Sequence, residues 1–334
     1  MMRALLCERH GPVQGVRLCD IDDAVAPGPH DVTIQIDYAS VSHATRLLIE
    51  GSYQSRPALP FVPGTEAVGR VIACGSAVSR LSEGDRVVAV SRWGCYAQRL
   101  TLPEYTVYLL PEGLDSLTAL PIPISYGTAY TALLWRAALQ PGDNVLVLGA
   151  GSGVGLAAVE IAALLGARVI ACASTEAKRQ AALNAGATHV LAADDDLAAR
   201  VKALTGGNGA DIIFDPIGGP LFQRSVRAAS ANARLLSIGF ASGQIPAVPL
   251  NVLLVKNITL HGFFYGRYLG WTPTDERMTH APALQRSMRT LLEWARDQRI
   301  RPTVTAVYPA GDLVAAVDAL DTRRVVGKVA LKID

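Results

Sequence analysis

Hydrophobic and polar positions fall into two textures along the chain. Over roughly the first 120 residues, short apolar runs alternate with turns. In residues 31–38, Val32, Ile34, Ile36 and Tyr38 alternate with polar neighbours, and Gly84-Asp85 leads into the run 86–90. Period-two alternation marks half-buried strands, so this region is predicted as an all-β, barrel-like unit. Near Ala119 the texture changes. An alanine-rich helix is predicted over 126–138, ended by Pro141-Gly142, and an uninterrupted apolar strand follows at 145–148. Such strands belong to parallel sheets covered on both faces. Helices at 153–165, 176–184, 197–204 and 221–229 then alternate with strands at 169–173, 189–191, 212–215 and 234–238. Repeated βα units predict a doubly wound Rossmann sheet with right-handed crossovers.

Past the segment 258–264 the pattern predicts a helix over 283–298, with Leu284, Met288, Leu291, Leu292 and Ala295 on one face. A short helix over 313–320, with Asp312 as N-cap, and a strand over 329–333 follow. That strand has no evident partner nearby in sequence, so it is assigned to the first β unit. The expected fold class is therefore α/β with two domains: a discontinuous β domain, 1–121 with 262–334, and a Rossmann domain, 122–261, inserted between its parts.

Composition narrows the class. Hydrophobic residues make up 50% of the 334, enough to bury sizeable cores. Lys plus Arg number 31 against 29 acids, a net charge of +2, with no long run of like charge, so nucleic acid is not expected as the main partner. Cys7, Cys19, Cys74, Cys95 and Cys172 stand singly, which writes neither a disulfide framework nor a thiolate zinc cluster and points to a reducing, cytoplasmic location. Cys95 and Cys172 lack a neighbouring base or cation and are assigned structural roles. The apolar patch 4–7 is too short for a signal segment, and the apolar stretch 117–139 is interrupted by Pro121, Pro123 and Arg136, so no membrane span is expected.

The chemistry enters with Gly149-Ala150-Gly151-Ser152-Gly153-Val154-Gly155, which follows an apolar strand and opens a helix. Backbone N–H groups there can approach a pyrophosphate at the positive helix end, placing Gly151, Ser152, Gly153 and Val154 at a dinucleotide. The glycines do not fit a literal G-x-G-x-x-G, so the strand and helix on either side carry the reading. A site for NAD needs an acid at the end of the second strand; here Ala173, Ser174 and Thr175 stand there, followed by Lys178 and Arg179. A neutral strand end with cations one turn on suits a 2′-phosphate and favours NADPH, with Ser174, Thr175 and Lys178 contacting it. The alternative is that Lys178 and Arg179 are a solvated helix face.

The chain resembles, end to end, the medium-chain dehydrogenase/reductase superfamily, in its zinc-independent quinone oxidoreductase, zeta-crystallin-like branch. The landmarks are Val62-Pro63-Gly64-Thr65-Glu66-Ala67-Val68-Gly69, Glu83 to Val87, Tyr126-Gly127-Thr128-Ala129-Tyr130, Gly149 to Gly155, Phe214 to Gly219, Ser237-Ile238-Gly239 and Val326-Gly327-Lys328-Val329. The resemblance implies a GroES-like catalytic domain, a cleft beside the Rossmann domain, and a homodimer through an edge strand at 257–264. The catalytic zinc ligands of the alcohol dehydrogenases correspond to Ser42, Thr65 and about Ile124, which cannot replace thiolate and imidazole, so no metal is expected. By the same resemblance Thr128 and Gly239 hold the nicotinamide, His43 makes a polar contact near the phosphates, and Phe263, Phe264 and Lys328 lie at the cofactor. Core packing is an alternative for the phenylalanines; with Tyr265 and Trp271 they otherwise form an apolar wall for a flat acceptor, and 270–273 a loop over the cleft. Relatives carry Asn-Pro-x-Asp where this chain has Ser42-His43-Ala44-Thr45, Gly at Ser152, Gln at Glu160 and a phosphate-binding Tyr at Ala193.

Without a metal, hydride must pass to an acceptor already electrophilic, a quinone or the β-carbon of an α,β-unsaturated carbonyl. Tyr53, in Gly51-Ser52-Tyr53, resembles the tyrosine of enoyl-thioester reductases and is either a proton donor or a packing residue at the cleft mouth. Ser42 could donate a hydrogen bond to the acceptor oxygen. The expected function is an NADPH-dependent reductase of a small-molecule quinone or enone; the alternatives are a trans-2-enoyl thioester reductase using Tyr53 and a non-catalytic, crystallin-like NADPH-binding protein.

Overall fold

The computed structural model describes residues 1–194, 196–322 and 325–334. It begins with β1 (Met2–Leu6), β2 (Arg17–Ile21), β3 (Asp31–Val41), α1 (His43–Glu50), β4 (Glu66–Cys74), β5 (Arg86–Val90), β6 (Arg99–Pro103), β7 (Val107–Leu109) and α2 (Ser116–Ala119). Next come α3 (Gly127–Thr131), β8 (Asn144–Leu148), α4 (Gly153–Leu164), β9 (Arg168–Cys172), α5 (Glu176–Asn184), β10 (His189–Leu191), α6 (Leu197–Leu204), β11 (Ala210–Asp215), α7 (Gly219–Val226) and β12 (Ala229–Ser237). The remainder is α8 (Leu250–Lys256), β13 (Thr259–Gly262), α9 (Arg277–Arg296), β14 (Val304–Pro309), α10 (Leu313–Asp321) and β15 (Lys328–Lys332). Contacts divide the chain into two units, Met1–Ile124 with Gly266–Gln298 and Pro302–Asp334, and Ser125–Tyr265 with Arg299–Arg301.

In the first unit a sheet runs in the order β14-β15-β3-β4-β5-β7, with β6 also on β3 and the β1–β2 hairpin separate. The alternation at 31–38 does what period two requires: Val32, Ile34 and Ile36 point into one core with Val71, Val87, Ala89 and Leu331. The C-terminal strand does return here, antiparallel to β3 through Val329↔Val41. It also has a partner close in sequence that the pattern did not reveal, the parallel strand β14. β14 alternates only between exposed and partly buried positions, too weak an apolar signal to stand out. α9 starts before Pro282, which it carries inside the helix, and buries Leu284, Met288, Leu291, Leu292 and Ala295 as its spacing predicts.

In the second unit, β10-β9-β8-β11-β12-β13 form one parallel sheet. Chain order reverses between β8 and β11, the switch point at whose carboxyl ends such sheets bind ligands. Residues Val145–Leu148 are fully buried, as a sheet covered on both faces demands. The helix expected over 126–138 is instead α3 flanked by wider π-type turns at Ile122–Tyr126 and Ala132–Arg136. At the sheet's edge β13 follows α8, whose Leu250, Leu254 and Val255 are all more than two-thirds exposed. Among the described residues no helix is long and apolar enough to cross a membrane.

Candidate functional site

At the carboxyl end of β8 the chain turns at Gly149, whose φ of 62° favours glycine, and re-enters helix at α4. Ser152 is the N-cap: its Oγ accepts from Gly155 N–H at 3.2 Å and donates to the Gly149 carbonyl at 2.8 Å. This side chain thus clamps the loop from inside. A Cβ on Gly155 would lie 2.2 Å from the Gly149 oxygen. Gly155 therefore performs the close helix-to-strand packing that the third glycine of the dinucleotide fingerprint provides, and the literal spacing hid it. A Cβ on Gly151 would lie 2.5 Å from Cβ and Cγ of Lys178, so the bare glycine lets the lysine stem cross the loop. Gly153 and Val154 form the first turn of α4, with its outward N–H groups.

Lys178 reaches this position because α5 begins just before it. Thr175 caps α5, its Oγ1 accepting from Lys178 N–H at 3.3 Å, and Ser174 beside it is exposed. Of the two expected cations, Arg179 is engaged within its own turn. Arg179 donates from Nη2 to Glu176 Oε2 at 2.7 Å and from Nη1 to the Ala173 carbonyl at 3.1 Å, so its charge is committed within the β9–α5 turn.

Other expected positions in this unit separate. Thr128 is buried in α3, and Gly239 follows β12 with the Pro216 oxygen 3.6 Å from where a Cβ would stand. Phe263 is buried, its N–H donating to the Ser237 carbonyl at 3.0 Å, whereas Phe264 is 37% exposed. The two thus differ in exposure, Phe263 packed inward and Phe264 partly open. Trp271 belongs to the first unit. Asp215, which the sequence did not single out, closes β11: Oδ1 accepts from Ile217 N–H at 2.9 Å and Gly218 N–H at 3.0 Å, fixing the turn at the switch point. Burial pushes its pKa up to about 6 against the pull of the Gly218 and Ile217 N–H groups. Tyr126 Oη donates to Glu160 Oε2 at 2.7 Å, and burial raises both groups. Cys172 is likewise inert, its thiol pushed up to about 12 by burial.

In the first unit, strand register gathers side chains at one end of the sheet. Ala39↔Ala67, Glu66↔Val90 and Val329↔Val41 place Ser42, Thr65, Glu66, Ser91, Arg92 and Lys328 together there. Ser42 caps α1, its Oγ accepting from Thr45 N–H at 3.3 Å and lying 3.2 Å from Thr45 Oγ1. Thr45 Oγ1 in turn lies 3.5 Å from the Tyr96 hydroxyl, which donates to the Ser40 carbonyl at 2.9 Å. His43, one residue on, is exposed. α1 ends at Gly51, and Tyr53 is held beyond it by its N–H on the Leu47 carbonyl at 3.1 Å. Tyr53 is half-buried; burial raises its pKa and the Arg92 charge partly offsets that.

Lys328 is corrected from a cofactor contact to an internal ion pair. Its Nζ, almost fully buried, donates to Glu66 Oε1 at 2.7 Å; Ser40 Oγ donates to the same oxygen and Ile124 N–H to Oε2 at 3.1 Å. Both oxygens of the buried carboxylate thereby accept from a donor, and its charge is paired. Glu66 sits inside a quoted landmark, but its partner is 262 positions away and no local pattern connects them.

The positions matching the zinc ligands of the alcohol dehydrogenases meet at this sheet end. Ser42 offers a capping hydroxyl, Thr65 a hydroxyl, and Ile124 only a backbone N–H already given to Glu66. Hard hydroxyls and a hydrocarbon do not make a tetrahedral N/S site, so the donor set does not fit catalytic zinc. Among the described residues no group of three His, Cys, Asp or Glu could hold a metal ion.

Residues 28–112 match the family described as alcohol dehydrogenase GroES-like domain, and residues 153–280 the family described as zinc-binding dehydrogenase. The chain is 34% identical over 307 residues to quinone oxidoreductase-like protein 2 of Bos taurus, covering 91% of this chain and 86% of that one. Escherichia coli quinone oxidoreductase complexed with NADPH is similar in structure, with a TM-score of 0.88 and 26% identity over 99% of both chains. A mycobacterial protein complexed with NADPH has a TM-score of 0.90 and 28% identity over 99% of this chain and 100% of its own.

Proposed function

Because the chain belongs to the medium-chain dehydrogenase/reductase superfamily, in its quinone oxidoreductase branch, we propose that it is an NADPH-dependent oxidoreductase that works without zinc on a small quinone or α,β-unsaturated carbonyl. One observation carries the cofactor assignment: the stem of Lys178 crosses Gly151 beside a strand end, Ala173-Ser174-Thr175, that has no acid to repel a 2′-phosphate. The residues present fit the dinucleotide. Gly151, Gly153 and Val154 supply backbone N–H groups at the α4 terminus for the pyrophosphate, Ser152, whose own N–H donates to the Gly149 carbonyl at 3.0 Å, shapes the loop around it, Ser174, Thr175 and Lys178 face the 2′-phosphate, and Thr128 and Gly239 hold the nicotinamide side. When bound, NADPH supplies a hydride which, with one proton, reduces a quinone to the hydroquinone or an enone to the saturated carbonyl.

The first unit handles the acceptor oxygen. Ser42 Oγ keeps its proton while accepting from Thr45 N–H and can donate it to that oxygen. Tyr53 remains protonated through neutral pH, since burial raises its pKa, and serves as hydrogen-bond or proton donor. A homodimer is the expected assembly, since the unpaired edge of β13 and the exposed leucines of α8 form a surface that a second copy can cover. Five unpaired cysteines agree with a reducing, cytoplasmic setting.

The test is NADPH oxidation with 1,2-naphthoquinone, 9,10-phenanthrenequinone and small enones, with and without chelator. Turnover unaffected by chelator is expected, and Lys178→Ala should weaken NADPH relative to NADH by about tenfold, the value of one charge-assisted contact. Fluorescence titration that detects no NADPH uptake would overturn the reading; uptake without turnover on any acceptor would favour the non-catalytic alternative. Tyr53→Phe should lower the rate about tenfold or more where Tyr53 delivers the proton, and an unchanged rate removes it from the chemistry.

A further inference from the structure

The turn after β5 carries a guanidinium that the reaction outlined above does not use. Ser91 N–H donates to the Thr65 carbonyl at 2.9 Å, Gly94 N–H to the Val62 carbonyl at 2.8 Å, and Ser91 Oγ to the Trp93 carbonyl at 2.6 Å. These bonds pin residues 91–94 against 62–65, at the sheet end that also holds Ser42 and Thr65. Arg92 therefore projects from a rigid support, and its Cζ lies 4.9 Å from the centre of the Trp93 ring.

Around it the charge balance is incomplete. Arg92 is only partly exposed, its Nε is shut off from solvent without a hydrogen-bond partner, and among the described residues its guanidinium enters no ion pair. The neighbouring cations at this end are differently placed: Lys328 is paired with Glu66, and Arg46 with Glu50 at 3.1 Å. A partly dehydrated guanidinium, stacked on one face and held in place, costs desolvation that an anion offsets best. Its planar fork matches a carboxylate in a bidentate pair. Arg92 is also near enough to Tyr53 for its charge to act on the phenol.

We propose that Arg92 is a specificity-determining residue of the acceptor site, receiving a carboxylate on the acceptor, so that the preferred substrate is an α,β-unsaturated carbonyl bearing a carboxylate rather than a neutral quinone. This rests on the reductase reading above. The guanidinium selects among acceptors by a carboxylate they carry apart from the carbonyl oxygen, while Ser42 and Tyr53 attend to that oxygen.

A matched pair tests it: trans-4-oxo-4-phenyl-2-butenoate and its ethyl ester, reduced by the full chain with NADPH. The wild-type ratio of kcat/KM, acid over ester, should exceed about tenfold and fall by about tenfold or more in Arg92→Leu, with Arg92→Lys intermediate, as the loss of a charge-assisted pair requires. A ratio near one in the wild type, or an unchanged ratio in Arg92→Leu, overturns the proposal; so does an equal loss on both acceptors, which marks a role in folding that thermal melts would register. Calorimetric binding of the saturated 4-oxo-4-phenylbutanoate and its ester needs no turnover. If the chain binds NADPH yet reduces neither this pair nor the quinones and enones above, the reductase reading fails, while tighter binding of the acid, lost in Arg92→Leu, still supports carboxylate recognition and equal binding sinks it.

Discussion

The glycine loop of the second unit and the sheet end of the first are built by opposite means. Within seven consecutive residues, 149–155, the loop is built from backbone groups and held from inside by one hydroxyl, that of Ser152. At the sheet end, side chains converge from β3, β4, the turn after β5 and β15, and the strongest pair among them, Lys328 with Glu66, is consumed internally. The contrast teaches that an ionic side chain at the right address need not be a ligand-binding group. Burial and partners decide whether its charge is available.

Breaking the sheet-end pair should have the largest effect. Lys328→Met leaves the Glu66 carboxylate buried without its cation, so stability to denaturant should fall by about 3–5 kcal/mol, and the Lys328→Met/Glu66→Leu double variant should recover much of it. Full stability in the single variant would mean the pair is not what orders this end. The second unit answers to pH instead. Asp215 has a folded-state pKa raised to about 6, so the folded chain holds that proton more tightly than the unfolded one. Its contribution therefore weakens stability as pH climbs from the ordinary carboxylate range near 4 to about 6, by at most about 3 kcal/mol, and Asp215→Asn should flatten that part of the stability profile. An unaltered slope would locate the titration elsewhere. The smallest change is local: Gly155→Val overpacks the loop against the Gly149 carbonyl, costing about 1–3 kcal/mol and weakening NADPH in a fluorescence titration. Undiminished affinity would separate the loop's packing from its binding.

The same contrast explains what could be read beforehand. Strands 145–148 and 31–38 and the helix 176–184 were legible because apolar periodicity and capping residues are local signals. The neutral end of β9, Ala173-Ser174-Thr175, was legible for the same reason. Lys328 was misplaced because its address near the end of the chain says nothing of Glu66, and Arg179 because its engagement with Glu176 and Ala173 depends on a side-chain geometry that spacing alone leaves open. β14 was missed because no position on it is fully buried. Arg92 followed a strand that the pattern drew correctly, but its stacking on Trp93 and its lack of an ionic partner are facts of packing.

The position of β15, between β14 and β3, sets an order on how the molecule can be made. During synthesis the Rossmann strands 144–262 emerge as one continuous block and can pair as they appear. The sheet begun by residues 31–41 must wait, one edge open, until 328–332 have left the ribosome. The earliest half of the chain thus depends on its tail for closure, and a nascent chain stalled before residue 328 would expose β3 to the crowded surroundings of translation.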